Sequence, residues 1–266
     1  MCLRRLTRAC LGLAVLVVAS GCARTETLTP EAARAKGDAM LKQMSQTLAG
    51  TQVFSFKADQ EVERVRRNGA KETARFSRIV TVRRPNQLTF TDQSGDRQSA
   101  AWYDGSQVTI VSNRDKIWVR GPMPATLDEA MDYIAAEYDI AIPTADLLYS
   151  NPYEALITAD TTGGWVNVEN IGGRTCEHLS YQQAVVDWQI WLTQDDRRSP
   201  CQLQITYKND PGQPVTRIAF SDWNPQPTIS DETFKPQVPE GYQRIKIMRH
   251  ATVEDKTVAK EEGGKR

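Results

Sequence analysis

A change of period at Val53 constrains this chain more than any other feature. Before it, Ala33, Met40, Leu41, Met44 and Leu48 recur at helical spacing behind Thr29 and Pro30, a capping residue and a first-turn proline. Gly50 ends that helix. After it, Phe54, Phe56, Ala58 and Val62 alternate with Ser55, Lys57, Asp59, Glu61 and Glu63, the pattern of a strand with one buried face. Asn68-Gly69 tolerates positive φ and predicts a hairpin. The return strand carries Phe76, Val80 and Val82, and Arg78 interrupts its apolar face as a side chain expected to snorkel at an edge.

Short strands follow at Leu88 to Thr91, Gln98 to Tyr103, Gln107 to Ser112 and Lys116 to Val119, parted by turn residues such as Asp104-Gly105. Thr126 with Glu129 forms a capping box opening a helix whose stripe is Leu127, Ala130, Met131, Ile134 and Tyr138. Further helical pieces are expected at Ala145 to Tyr149 and after Asn151-Pro152, giving an apolar insert that must cover a sheet face. Strands resume at Trp165 to Ile171, Thr175 to Gln182, Asp187 to Thr193, Gln202 to Tyr207 and Val215 to Asp222, with a last one at Tyr242 to Met248. Trp188, Ile190 and Leu192 share one face, whereas Trp191 lies on the more polar one, either covered or open to a ligand.

The N-terminus sets the compartment. Arg4, Arg5 and Arg8 precede an apolar run from Leu11 to Ala19, short of the about 20 residues that span a bilayer, and small residues lead into Cys22. Residues 1–21 therefore read as a signal peptide. Ala19-Ser20-Gly21-Cys22 resembles the lipobox of bacterial lipoproteins, although Ala19 stands where leucine is usual; Cys22 is then the lipidated residue and 22–28 a tether. The competing reading is ordinary cleavage and a free periplasmic protein. Ala23 after the cysteine, by the same resemblance, directs the protein to the periplasmic face of the outer membrane. Residues 29–249 form one domain, and 250–266, charged and without aromatics, a disordered tail.

The chain holds 33 basic and 33 acidic residues, so loss of three arginines with the leader leaves a slight acidic excess. Nucleic acid is an unsuitable partner for such a surface. Cys2 and Cys10 leave with the leader and Cys22 takes lipid, which isolates Cys176 and Cys201 in an oxidising compartment. Both open strands of one meander, where alternate strands lie about 9.5 Å apart and a bridge needs Cα atoms within about 7 Å. A disulfide requires the sheet to curl or one cysteine to leave the ladder, and both outcomes stay open.

The stretches WYDGSQVTIV from Trp102, CEHLSYQQAVVDWQIWL from Cys176 and LQITYK from Leu203, with the helical insert between them, resemble the bacterial family grouped as domain of unknown function 2092. Its members are similar to the lipoprotein carriers LolA and LolB. The resemblance implies an α+β fold: a long curved antiparallel sheet, an incomplete β-barrel, with helices covering the concave face. It assigns no function.

Chemistry is sparse. His178 shares a strand face with Cys176 and Ser180, but zinc sites need at least three protein ligands and no Cys/His cluster supplies them. No nucleophile elbow, phosphate loop or metalloprotease motif occurs. The chain reads as a non-enzyme without metal or cofactor, monomeric and membrane-bound through its lipid. Phe54, Phe56, Phe76, Trp102, Met131, Ile134, Trp188 and Ile190 are the expected lining of a cavity for an acyl chain, lipid or lipoprotein. The alternative is a docking module with a filled core, anchored through Trp118 or Trp191.

Overall fold

A computed structural model describes residues 28–95, 97–140 and 142–246. The signal peptide, Cys22 and the 250–266 tail lie outside the described residues. The elements run α1 (Pro30–Gly50), β1 (Val53–Val65), β2 (Lys71–Arg83), β3 (Gln87–Ser94), β4 (Arg97–Tyr103), β5 (Gln107–Ser112), β6 (Ile117–Pro122), α2 (Leu127–Tyr138), a 3₁₀ turn (Ala145–Leu147) and α3 (Pro152–Leu156). Then come β7 (Thr162–Ile171), β8 (Arg174–Gln182), β9 (Val186–Thr193), β10 (Pro200–Tyr207), β11 (Val215–Asn224), a second 3₁₀ turn (Asp231–Phe234) and β12 (Gln243–Arg244).

All these strands join one curved, unclosed sheet in the order β12-β6-β5-β4-β3-β2-β1-β11-β10-β9-β8-β7. Two meanders fan out from the β1–β11 pair, and only the short β12–β6 ladder is parallel. The helices cover the two halves of the concave face separately.

Over one half, α1 lies directly on β7. Gly37 and Gly164 allow this approach, because a Cβ at Gly164 would stand 2.5 Å from the Ala33 carbonyl. Arg34 pairs with Asp38 at 2.8 Å and donates to the Thr161 carbonyl, fixing the helix along the strand. Its buried side, Met40, Leu41, Met44 and Leu48, meets Phe54 and Phe56, which stack with Trp223.

Over the other half, α2 is held by its ends. Thr126 and Glu129 form the capping box, the Leu127 amide donates to the Pro85 carbonyl, and Tyr103 Oη donates to the Pro124 carbonyl at 2.6 Å. Asp139 in the left-handed region, φ 54°, ends the helix. Ser150 amide and hydroxyl both donate to Asp128, tying the returning chain to the first turn.

The segment after β11 crosses the convex face as a strap. Phe234 is buried beneath Arg83, which also pairs with Asp231 at 2.7 Å. Gln237, Val238 and Pro239 then border Trp102 and Val111, and the strap ends beside β6, where the Gln243 and Ile245 amides donate to Lys116 and Trp118 carbonyls. The last strand is thus only Gln243–Arg244, shorter than the Tyr242 to Met248 expected from the sequence, and residues 247 and 248 lie outside the described residues.

Cys176 and Cys201 are bonded, with Cα atoms 6.7 Å apart. The register explains how strands separated by β9 can do this. Pro200 pairs with Leu192 and Gln202 with Trp191, so Cys201 sits in an irregularity and leaves the ladder.

Candidate ligand cavity

Under α2 the concave face is not filled. A cavity of about 230 Å³ is walled by the inward residues of β2 to β6, among them Val80, Leu88, Phe90, Ile110 and Val119, and roofed by Met131, Ile134 and Tyr138. A second chamber of about 270 Å³ lies between the α2–α3 insert and β9–β10, with Trp188, Leu203 and Ile205 on the sheet side. Met131, Ile140 and Ile142 border both chambers. Each alone is smaller than the about 300 Å³ at which ligand pockets begin, whereas the two joined fall within that range. Ile140, 47% exposed, stands where the chambers meet solvent.

The first chamber is lined by one inward-facing arginine, Arg78, and by no carboxylate; Arg120 of β6 borders it from the row of Thr109 and Trp102, which faces the convex side. Arg78 is held flat: its Nε and Nη2 donate to the two Asp92 oxygens at 2.6 and 2.7 Å, and its guanidinium lies 4.1 Å above the Phe90 ring. Such a bidentate pair on an aromatic face fixes the fork in one orientation. It is a wall residue of the cavity, not the edge side chain expected from the sequence. Tyr103 is pushed up to about 12 by burial, so it stays a neutral donor to Pro124. In the second chamber burial pushes Asp146 up to about 6. Burial also raises Tyr149, whose hydroxyl donates to Asp132.

The sequence-expected lining divides. Met131 and Ile134 roof the first chamber, and Trp188 borders the second. Phe54, Phe56 and Ile190 are at most 2% exposed in the core and line neither chamber. Phe76 shares the face of Val80 but lies beyond the Arg78–Asp92 pair, opposite Gln60 near the middle of β2 and outside both chambers. Trp102 is on the convex face: Leu88 pairs with Tyr103 and Thr89 with Trp102, so Tyr103 takes the inward position and the strap borders Trp102.

Trp191 is 6% exposed, covered by its own neighbours. It stacks on His178 at 4.3 Å, and its Nε1 donates to Glu169 Oε2 at 2.9 Å. That hydrogen bond, with His178 adding its charge when protonated, holds the Glu169 carboxyl below its ordinary value. His178 bonds Glu169 through Nδ1 and Gln189 through Nε2, which leaves neither nitrogen to reach a substrate. Trp118 is half-buried, with Arg244 of the strap 5.1 Å from its ring.

Residues 37–248 match the family described as "Predicted periplasmic protein (DUF2092)". The chain belongs to that family. No curated protein matches the sequence. Among solved structures, this DUF2092 chain is similar to an uncharacterised conserved protein from Thermus thermophilus, at 7% identity and TM-score 0.45, over 79% of this chain and 98% of that one. It is similar to the Mycobacterium tuberculosis lipoprotein LppX at 14% identity and TM-score 0.41, over 72% and 98% of the two chains. A LolA superfamily protein from Nitrosomonas europaea is similar at 11% identity and TM-score 0.34, over 76% and 98%.

Sequence reasoning missed the second chamber's Asp146 and the Arg78–Asp92 pair as parts of the cavity. Arg78 carried a signal, being a charge on an otherwise apolar strand face. Asp146 carried none, because its burial depends on how the insert folds back.

Proposed function

We propose that this protein is a non-enzymatic, monomeric envelope protein that holds an apolar ligand, an acyl chain of a lipid or lipoprotein, in the cavity between α2 and strands β2 to β6. The reading includes an anchor: Cys22 carries lipid and holds the domain at the periplasmic face of the outer membrane. One observation carries the ligand assignment. The chamber's walls are almost wholly aliphatic and aromatic, yet α2 does not sink into them, although hydrophobic contact favours filling such space. Under α1, by contrast, Met40, Leu41, Met44 and Leu48 are buried in one cluster with Phe54 and Phe56. The competing reading, a docking module anchored by Trp118 or Trp191, has less support, since Trp191 is buried and the strap lies beside Trp118.

The test is native mass spectrometry on the chain from Arg24 onward, which retains every described element, expressed in the periplasm and purified without detergent. A stoichiometric lipid or acyl species is expected. A clean apo mass, persisting after incubation with envelope lipids, would overturn the reading. For the anchor, Cys22→Ser in the full-length chain is expected to abolish incorporation of labelled palmitate; undiminished labelling would exclude Cys22 as the site.

A further inference from the structure

The concave face of β2 to β5 changes character over one step of register. One inner row runs Val80, Phe90, Ala101, Ile110 and Val119 across paired strands, all apolar. The next row on the same face runs Arg78, Asp92, Ser99 and Ser112, polar from β2 to β5, and ends on Ile117 of β6. An apolar chamber bordered on one side by a polar row is the surface complement of an amphiphile. The sign of the charge decides which kind. Arg78 is the charged side chain that points into the chamber, and no carboxylate lines it. Asp92 uses both oxygens on Arg78 Nε and Nη2, and among the described residues no acceptor meets Arg78 Nη1. The guanidinium side chain is 17% exposed, so it reaches the chamber while its plane is fixed against Phe90. Arg120 borders the chamber through β6, but it pairs with Thr109 in the row of Trp102, so its side chain leaves on the convex side.

We infer that the ligand is a single-chain amphiphile with an anionic head, its chain in the chamber under α2 and its carboxylate or phosphate on Arg78. This rests on the cavity reading above and narrows it. Arg78 is the group that selects the head, through the N–H edge that Asp92 leaves open; Asp92 competes with the ligand and sets how tightly the head is held.

Isothermal titration of the chain from Arg24 onward with laurate, dodecyl phosphate and dodecanol, which share one chain length, separates head from tail. The native protein is expected to bind the tighter of the two anions at least about tenfold more tightly than dodecanol, the worth of one charge-assisted hydrogen bond. Which anion is tighter identifies the head as carboxylate or phosphate. The paired variant Arg78→Gln with Asp92→Asn keeps a neutral hydrogen-bonded pair; it is expected to bind all three alike. Asp92→Asn alone is expected to tighten the anion severalfold, and Arg78→Lys to retain part of the preference. Equal affinity of the native protein for dodecanol and both anions, or a preference that survives in the paired variant, would overturn the head assignment while leaving the cavity intact. Binding of none of the three overturns both.

Discussion

Gly37 on α1 and Gly164 on β7 touch backbone to backbone: a Cβ at Gly37 would lie 3.1 Å from the Gly164 carbonyl carbon and 2.9 Å from the Trp165 amide nitrogen. A Cβ at Gly164 would strike Ala33 and Arg34 main-chain atoms at 2.5 and 2.6 Å. None of these main-chain atoms can swing aside as a side-chain end would. Gly164→Ala is therefore expected to destabilise by about 1–3 kcal/mol through overpacking. Gly37→Ala is the sharper case, because alanine would add about 1 kcal/mol of helix propensity at an open site. A urea midpoint that rises in Gly37→Ala would mean that α1 stands off the sheet.

Asp146 gives the domain a pH dependence of stated sign. Its folded value is raised from 3.8 to about 6 by burial. The native state then binds its proton more tightly than the unfolded chain does, so Asp146 supports stability below about pH 4 and that support is lost as pH rises through 6. Asp146→Asn is expected to stabilise the protein at pH 7 by about 1–3 kcal/mol and to flatten stability between pH 4 and 6. Denaturation curves at pH 4, 5, 6 and 7 measure both, and parallel profiles for the two proteins would contradict the assignment.

The Cys176–Cys201 bridge closes a loop across a sequence separation of 25. Chain-entropy reasoning gives about 3.5 kcal/mol for such a loop. The double change Cys176→Ser with Cys201→Ser should lower stability by about 2–4 kcal/mol, and a reductant should have no effect on the native fold within minutes, both sulfurs being inaccessible. Thermal melts with and without reductant check this; identical melting of native and double variant would refute it.

His178 lies on the convex face, stacked on Trp191 and away from both chambers. His178→Ala should leave ligand binding unchanged while lowering stability by about 1–2 kcal/mol through the lost stack and hydrogen bonds. Loss of binding in a variant that melts normally would assign the histidine a role in the site.

Local signals were legible in the sequence wherever one element decides its own shape. Period two in Val53 to Val65, the turn at Asn68-Gly69 and the box at Thr126 and Glu129 each involve residues within a few positions of one another, and the structure has them where the sequence puts them. The cavity was legible only in part. Alternation tells which residues of one strand share a face, so Trp188 and Ile190 were grouped correctly; it does not tell what lies over that face. Ile190 and Phe56 are buried in the core, and Trp188 borders a chamber, because α1 sits low on its pair of glycines while α2 is held off by its tethers.

Propensity and spacing along the chain fix most of the elements, their order and the caps of the helices. Tertiary structure alone decided three things: the inward turn of Tyr103 over Trp102, the bond between two cysteines one strand too far apart, and the empty space under α2. Each depends on register between strands or on the height of a helix above a sheet, and those are fixed by contacts among residues distant in sequence, which no local pattern encodes.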